Sequence, residues 1–370
     1  MRNRRNRWSG RDRWKGWLCG FLVMLLTAGL YGGLPAETVQ GAAGDMAVHF
    51  LDVGQGLSIL VQSGGQNLLY DGGDRSASSF VVSYLREQQV STIDYLIASH
   101  YDEDHLSGLI GCLSAYSVNT VIGPDYDHDS ALYTSFLDVV KEKGLSVEHP
   151  SVGTEYAFGT GAFTILAPEE IRENDSNDNS VVIRLTNGEN AFLFTGDAEY
   201  TSEARMVDGG LELSCDVLSV GHHGSASSTS WDFLAATVPE YAVISCGEGN
   251  VYGHPDEETL EKLEAMEIPL FRTDKQGTVI GVSNGDEITW NVSPWEAPSG
   301  GGFDTGAVYS QEEAPQIPQE EVEEEQVWLS ATGSKYHSIP DCGNMDPTRA
   351  RQIPLSDAQA QGYEACKKCY

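Results

Sequence analysis

Residues Ile97–Gly108 read IASHYDEDHLSG. An apolar, β-rich run over Ile93–Ser99 delivers its C-terminal end straight into His100, Asp102, Asp104 and His105. Imidazole nitrogens and carboxylate oxygens at this density suit zinc, manganese or iron. Taken alone, the segment also fits a solvated acidic turn with two incidental histidines. The rest of the chain argues against that reading. Tyr70-Asp71-Gly72-Gly73, Phe194-Thr195-Gly196-Asp197, VLSVGHHGS (Val217–Ser225) and Tyr252-Gly253-His254-Pro255 each place an acid or a histidine where another apolar run ends. Five of the nine histidines, His100, His105, His222, His223 and His254, thus fall in loops that follow buried-looking strands, with Asp71, Asp104 and Asp197 beside them. Converging strand-end loops are how sheet proteins assemble sites.

Outward from this segment the chain alternates between short β-rich runs and helical stretches. Runs at Val48–Val53, Ser58–Gln62, Asn67–Tyr70, Ile93–Ser99, Ala162–Leu166, Val181–Leu185, Ala191–Thr195, Val217–Val220, Tyr241–Ser245, Thr278–Val282 and Glu287–Trp290 read as strands. Helical periodicity marks Ser79–Gln89, Ser130–Glu142, Ser202–Val207, Thr229–Ala236 and Glu257–Met266. Sheets flanked by helices follow, an α+β protein built as an αββα-type sandwich over residues 45–292.

The flanks differ in kind. Residues 1–17 hold seven basic residues and one acid, a net of +6, so of the −33 carried by the whole chain −39 falls on the remainder. So acidic a body has no electrostatic means of gripping a long stretch of duplex DNA, although metal ions can still neutralise phosphates locally. The basic segment precedes an uncharged apolar run, WLCGFLVMLLTAGLYGGL (Trp17–Leu34). Residues 1–44 therefore read as a signal peptide or membrane anchor that places the rest outside the cytoplasm, secreted or held at the membrane. Residues 293–326, rich in Gly, Pro and Glu, read as an acidic disordered linker. Residues 327–370 regain Trp, Tyr, His and Cys. There His337, Cys342, Cys366 and Cys369 form a set suited to a separate structural zinc in a module too short to fold without a staple.

The motifs FLDVGQG (Phe50–Gly56), LLYDGGD (Leu68–Asp74), SHYDEDHLSG (Ser99–Gly108), NDNSVVIRL (Asn177–Leu185), FTGDAE (Phe194–Glu199), VGHHGS (Val220–Ser225), NVYGHP (Asn250–Pro255) and RTDKQG (Arg272–Gly277) occur in that order. This series resembles the metallo-β-lactamase superfamily and, within it, the hydrolase-like domain at the C-terminus of ComEC/Rec2 DNA-uptake proteins. The resemblance implies a metal site at one edge of two sheets, with His100, Asp102, Asp104 and His105 in the family's metal-binding motif. Asp197 matches the carboxylate that bridges two metals, and Asp71 the aspartate that holds the metal-binding loop. The last histidine ligand falls to His222 or His254, with His223 as proton donor or phosphate contact. Asn179 stands where many members carry a further metal histidine, and Asp102 where most carry another. Leu57 follows VGQG where the ComEC-like branch commonly has Asp. The chain's single apolar segment cannot form a DNA pore.

Asp102 and Asn179 shift the donor set toward oxygen, which favours manganese while leaving zinc open. One or two ions held there would activate water against a phosphodiester, nucleic acid included, with Asp104 and His223 catalytic. The expectation is a metal-dependent, phosphodiesterase- or nuclease-like hydrolase. A non-catalytic, metal-stabilised surface binding domain is the other reading.

Overall fold

A computed structural model describes residues 44–173, 175–296, 326–329, 335–337, 351–354, 358 and 363–366. The basic and apolar N-terminal segment and most of the acidic linker lie outside the described residues. Among the described residues, no helix is long and apolar enough to cross a membrane.

The first half runs β1 (Met46–Phe50), β2 (Ile59–Ser63), β3 (Gln66–Tyr70), α1 (Ser78–Glu87), β4 (Thr92–Ile97), α2 (Glu103–Ala115), β5 (Ser117–Ile122), α3 (Ala131–Glu142) and β6 (Val147–Glu148). The second runs β7 (Glu155–Phe158), β8 (Gly161–Ala167), β9 (Val182–Asn187), β10 (Asn190–Phe194), α4 (Tyr200–Gly209), β11 (Val217–Ser219), α5 (Trp231–Thr237), β12 (Tyr241–Ile244), α6 (Glu257–Ala265), β13 (Leu270–Arg272), α7 (Thr273–Gln276), β14 (Val279–Ser283) and β15 (Ile288–Trp290). One sheet has the order β15-β14-β1-β2-β3-β4-β5-β6 and the other β13-β12-β11-β10-β9-β8-β7.

The period-two alternation of the strands explains the layering. In β3, Leu68 and Tyr70 turn into the core between the sheets, while Leu69 turns out toward α1 and α2. In β10, Phe192 and Phe194 face the same inter-sheet core, and Leu193 faces the helical layer of α4, α5 and α6. Each sheet is therefore apolar on both faces. Leu85, Leu109, Leu113 and Phe136 cover one outer face, and Met206, Phe233, Leu234, Leu260 and Leu263 the other. The result is an αββα sandwich. Two runs of parallel strands, β3-β4-β5-β6 and β10-β11-β12-β13, lie in the two sheets. Loops leaving the C-terminal ends of such strands are the usual place for a site in parallel sheets.

Residues after Ala307 cluster as a separate unit. Its described strands, β16 (Gln326–Leu329), β17 (Lys335–His337), β18 (Arg351–Pro354) and β19 (Glu364–Ala365), order as β18-β16-β17-β19. Val327, Leu329 and Ala358 are buried together there. Of the four residues expected to hold zinc, His337 ends β17 and Cys366 follows β19, while Cys342 and Cys369 lie outside the described residues.

Candidate metal centre

Five strand ends supply the centre: Asp71 after β3, Ser99 and His100 after β4, Asp197 after β10, His222 and His223 after β11, and Ser245 after β12. Asp104 and His105 come instead from the first turn of α2, a helix that the residue pattern does not announce. Three glycines explain how that turn is held. Gly56 adopts φ +134°, and a Cβ there would strike the Asp104 carbonyl oxygen, which accepts from Leu57 N at 3.2 Å. Gly72 and Gly108 meet backbone to backbone, with Gly72 N donating to His105 O at 2.8 Å and Gly108 N to Gly73 O at 3.2 Å. The VGQG, DGG and HLSG motifs thus clamp one turn of helix.

Two groups of three bring their ligand atoms within 4.8 Å of one another: His100, His105 and Asp197, and Asp104, His105 and His223. His105 Nε2 lies 3.2 Å from Asp197 Oδ1 and 3.2 Å from His223 Nε2. His223 Nε2 in turn lies 3.2 Å from Asp104 Oδ2 and 3.5 Å from Asp197 Oδ2. The outer nitrogens are already committed. His105 Nδ1 faces Asp71 Oδ2 at 2.8 Å, and His223 Nδ1 donates to Ser245 O at 2.9 Å. Asp71 is fixed by Ser99, whose N and Oγ donate to its two oxygens at 2.7 and 2.6 Å. Such partners set the tautomer that leaves Nε2 free for a cation.

The structure redistributes several expected roles. In the Gly221–Gly224 turn, His222 and His223 both have left-handed backbones, with φ 48° and 56°, and their rings lie 6.0 Å apart at 68° to one another. His223, not His222 or His254, reaches the Asp104–His105 group. His222 sits at the rim, its Nδ1 3.0 Å from Glu199 Oε1 and its Nε2 3.7 Å from Asp197 Oδ2. The His254 ring lies 5.4 Å from that of His222 and 6.5 Å from that of His223. Asn179 turns away, because its amide closes a local loop by accepting from Arg172 N at 2.7 Å and donating to Arg172 O at 2.9 Å. Its neighbour Ser180 faces the centre, accepting from Asp197 N at 3.1 Å with Oγ 3.4 Å from His100 Nδ1. Asp102 lies between His100 Nε2 at 3.7 Å, Ser176 Oγ at 3.0 Å and His128 Nε2 at 3.3 Å. Sequence reasoning missed His128, which lies outside every quoted motif, and Ser180 and Glu199, which lie within quoted ones.

Charge is packed tightly here. Burial alone would raise the Asp197 carboxyl, but the rings of His105 and His223 hold it well below the usual carboxylate range. Burial works against a charged His105, and Asp197, Asp71 and Asp104 overcome it, raising that ring well above its ordinary value. His223 behaves likewise: burial opposes its charge, yet Asp197 and Asp104 raise it to about 9. His100, buried and beside His105, is lowered. Its Nε2 is buried and has no hydrogen-bond partner among the described residues, an arrangement that ordinarily costs about 1–3 kcal/mol. An orphaned imidazole nitrogen beside two imidazoles and several carboxylates is the donor set of a divalent cation. The residues fit one.

A proton on His223 Nε2 must leave before that atom can ligate. Metal affinity is therefore expected to rise with pH, by up to about tenfold per unit for this proton until pH reaches about 9, and further for the proton on His105, whose ring is also raised. In the metal-free protein the sign reverses: a ring raised from 6.5 to about 9 contributes stability below pH 6.5 that is lost as pH rises through 9. Calorimetric titration with Mn²⁺ at pH 7, in buffers of different ionisation enthalpy, should show proton release; none would contradict this account.

The Metallo-beta-lactamase superfamily model matches residues 51–248, more than half of the chain. The chain belongs to the metallo-beta-lactamase superfamily. Within that superfamily it is similar to ComE operon protein 3 of Bacillus subtilis, 29% identical over 63% of this chain and 32% of that protein. It is also similar to competence protein ComA of Neisseria gonorrhoeae, 32% identical over 74% of this chain and 38% of that protein. Recombination protein 2 of Haemophilus influenzae is 32% identical over 70% of this chain and 31% of that protein. The chain spans about a third of the length of these curated relatives. Superfamily membership and the two ligand groups together support a metal-dependent hydrolase.

Proposed function

We propose that this metallo-beta-lactamase-fold chain is a metal-dependent phosphodiesterase that acts on nucleic-acid strands outside the cytoplasm. The observation that carries the reading is the pair of ligand groups, joined at His105 and flanked by the two carboxylates Asp104 and Asp197. His100, Asp104, His105, Asp197 and His223 would hold the ion or ions, as zinc or manganese, with Asp102 the nearest further carboxylate. Bound there, the metal supplies Lewis acidity toward a phosphoryl oxygen and a water made acidic enough to attack at neutral pH.

The chain's own residues do the rest. Asp71 and Ser245 fix the His105 and His223 rings so that both Nε2 atoms point inward. Ser180, by accepting from Asp197 N, orients the Asp197 loop. His222, steadied by Glu199 Oε1 and Ser227 Oγ at 3.0 and 3.2 Å from its Nδ1, keeps Nε2 3.7 Å from Asp197 Oδ2. From there it delivers a proton to the departing alkoxide. The acidic surface does not bar an anionic substrate, since the cations supply the local positive charge. The relatives' printed names, which concern competence and recombination, support nucleic acid as the substrate class. The basic Arg2–Lys15 segment followed by the apolar Trp17–Leu34 run supports export.

The test is hydrolysis of a generic phosphodiester and of a single-stranded oligonucleotide with Mn²⁺ or Zn²⁺, compared with Asp104→Ala. Metal-dependent turnover, reduced by more than about a hundredfold in the variant, is the expected result. A folded, metal-loaded protein inert toward both substrates would replace the hydrolase by a metal-stabilised binding domain.

A further inference from the structure

Beside the metal centre a cleft of about 830 Å³ runs along α2 and the start of α3, lined among others by Arg75, Asp102, Asp104, His128 and Tyr252. Its electrostatics are wrong for gripping a phosphate backbone. Among the described residues that line it, Arg75 is the single lysine or arginine, offset by Glu103, while Asp102 and Asp104 belong to the metal centre. An anionic strand lying in this cleft needs some other source of affinity.

Tyr252 offers one. It stands on the Asn250–Gly253 turn, where Asn250 Oδ1 accepts from Tyr252 N at 3.1 Å, and the residue is 66% exposed. Its ring stacks on His254 with centroids 5.8 Å apart at 23°, and His254 lies nearly parallel to His223 at 6.5 Å and 27°. A series of near-parallel rings thus leads from a metal ligand to the rim of the cleft. We propose that Tyr252 is a stacking platform for a base of a single-stranded nucleic acid whose phosphodiester lies at the metal centre. This rests on the phosphodiesterase reading and adds the part of the substrate that the protein holds. Stacking on an aromatic ring needs a base with a free face, which an unpaired strand has and a duplex does not. It also works in an acidic cleft, where phosphate contacts are scarce.

The experiment uses the full chain with Mn²⁺ and two fluorescent, cleavage-resistant phosphorothioate strands of equal length, one bearing bases and one abasic, with binding read by anisotropy. The wild-type chain should prefer the base-bearing strand by roughly tenfold. Tyr252→Ala should bind both strands equally, and Tyr252→Phe should keep the preference. Tyr252 is exposed, so neither variant threatens folding. Equal binding of both strands by the wild type, or an undiminished preference in Tyr252→Ala, overturns the inference. Hydrolysis is measured separately. A chain that discriminates between the strands yet cleaves neither substrate of the previous section keeps this inference and loses the hydrolase, whereas one that cleaves without discriminating does the reverse.

Discussion

His105→Ala should abolish tight metal binding and, with it, turnover. Both ligand groups contain this residue, and no other side chain is common to the two. Its Nδ1 is committed to Asp71 at 2.8 Å, so Nε2 alone can ligate. A single imidazole lone pair serves one ion at a time. The better-supplied position is therefore Asp104, His105 and His223, with Asp197 Oδ2 at 3.5 Å from His223 Nε2 as a fourth donor. A second ion would be left with His100, Asp197 and Asp102, and should bind more weakly. Loss of a partner that merely orients a ligand costs about 10–100-fold in affinity or activity, so loss of the shared ligand should exceed a hundredfold. The metal-free fold should suffer as well. Without the His105 charge, Asp71, Asp104 and Asp197 face one another with less compensation, and breaking such buried pairs costs about 3–5 kcal/mol. His100→Ala is the contrast, because it leaves the Asp104–His105–His223 group intact. Metal content by mass spectrometry and chemical denaturation with chelator test both parts. An unchanged first equivalent of metal in His105→Ala would refute the assignment.

The contrast between what the residues announced and what they concealed has physical causes. Strands dominated by apolar residues, such as Asn190–Phe194 and Met46–Phe50, are buried at every position, and their place in the sheets is readable from composition. The Ser117–Ile122 strand is not, because Ser117 and Asn119 face water and its pattern mixes Ser, Asn and Thr with Val and Ile. Leu270–Arg272 is too short to show any period. Helix α2 was hidden by its own function: its first turn reads as ligands, and its Gly and Ser residues lower helical propensity where the neighbouring loop must come close. The candidate ligands themselves were legible from residue type and strand-end position. What separated His222 from His223, or Asn179 from Ser180, was backbone direction at a single residue. Two consecutive left-handed histidines are a conformation that residue identity does not encode.

Gly108→Ala is expected to destabilise the protein and silence the centre, although the residue lies within a helix, where that replacement usually stabilises by up to about 1 kcal/mol. Ordinary propensity and tertiary contact here predict opposite signs. A Cβ on Gly108 would run into the Gly72 carbonyl oxygen, which is backbone and cannot swing away as a flexible side chain would. Relief requires α2 to move off the Asp71–Gly73 loop. That movement would break the bonds from Gly72 N to His105 O and from Gly108 N to Gly73 O, at 2.8 and 3.2 Å. It would also carry Asp104 and His105 away from Asp197 and His223. Overpacking of this kind costs about 1–3 kcal/mol, and displacing catalytic groups by about 1 Å can cost on the order of a hundredfold in rate. Gly209→Ala is the control, since it is also helical but would meet nothing within 4 Å. It should be neutral or mildly stabilising, with metal affinity unchanged. Thermal denaturation of both variants with and without Mn²⁺, alongside metal titration, separates the two effects. If Gly108→Ala proved as stable and as tight for metal as Gly209→Ala, the clamp on the first turn of α2 would not be what positions Asp104 and His105.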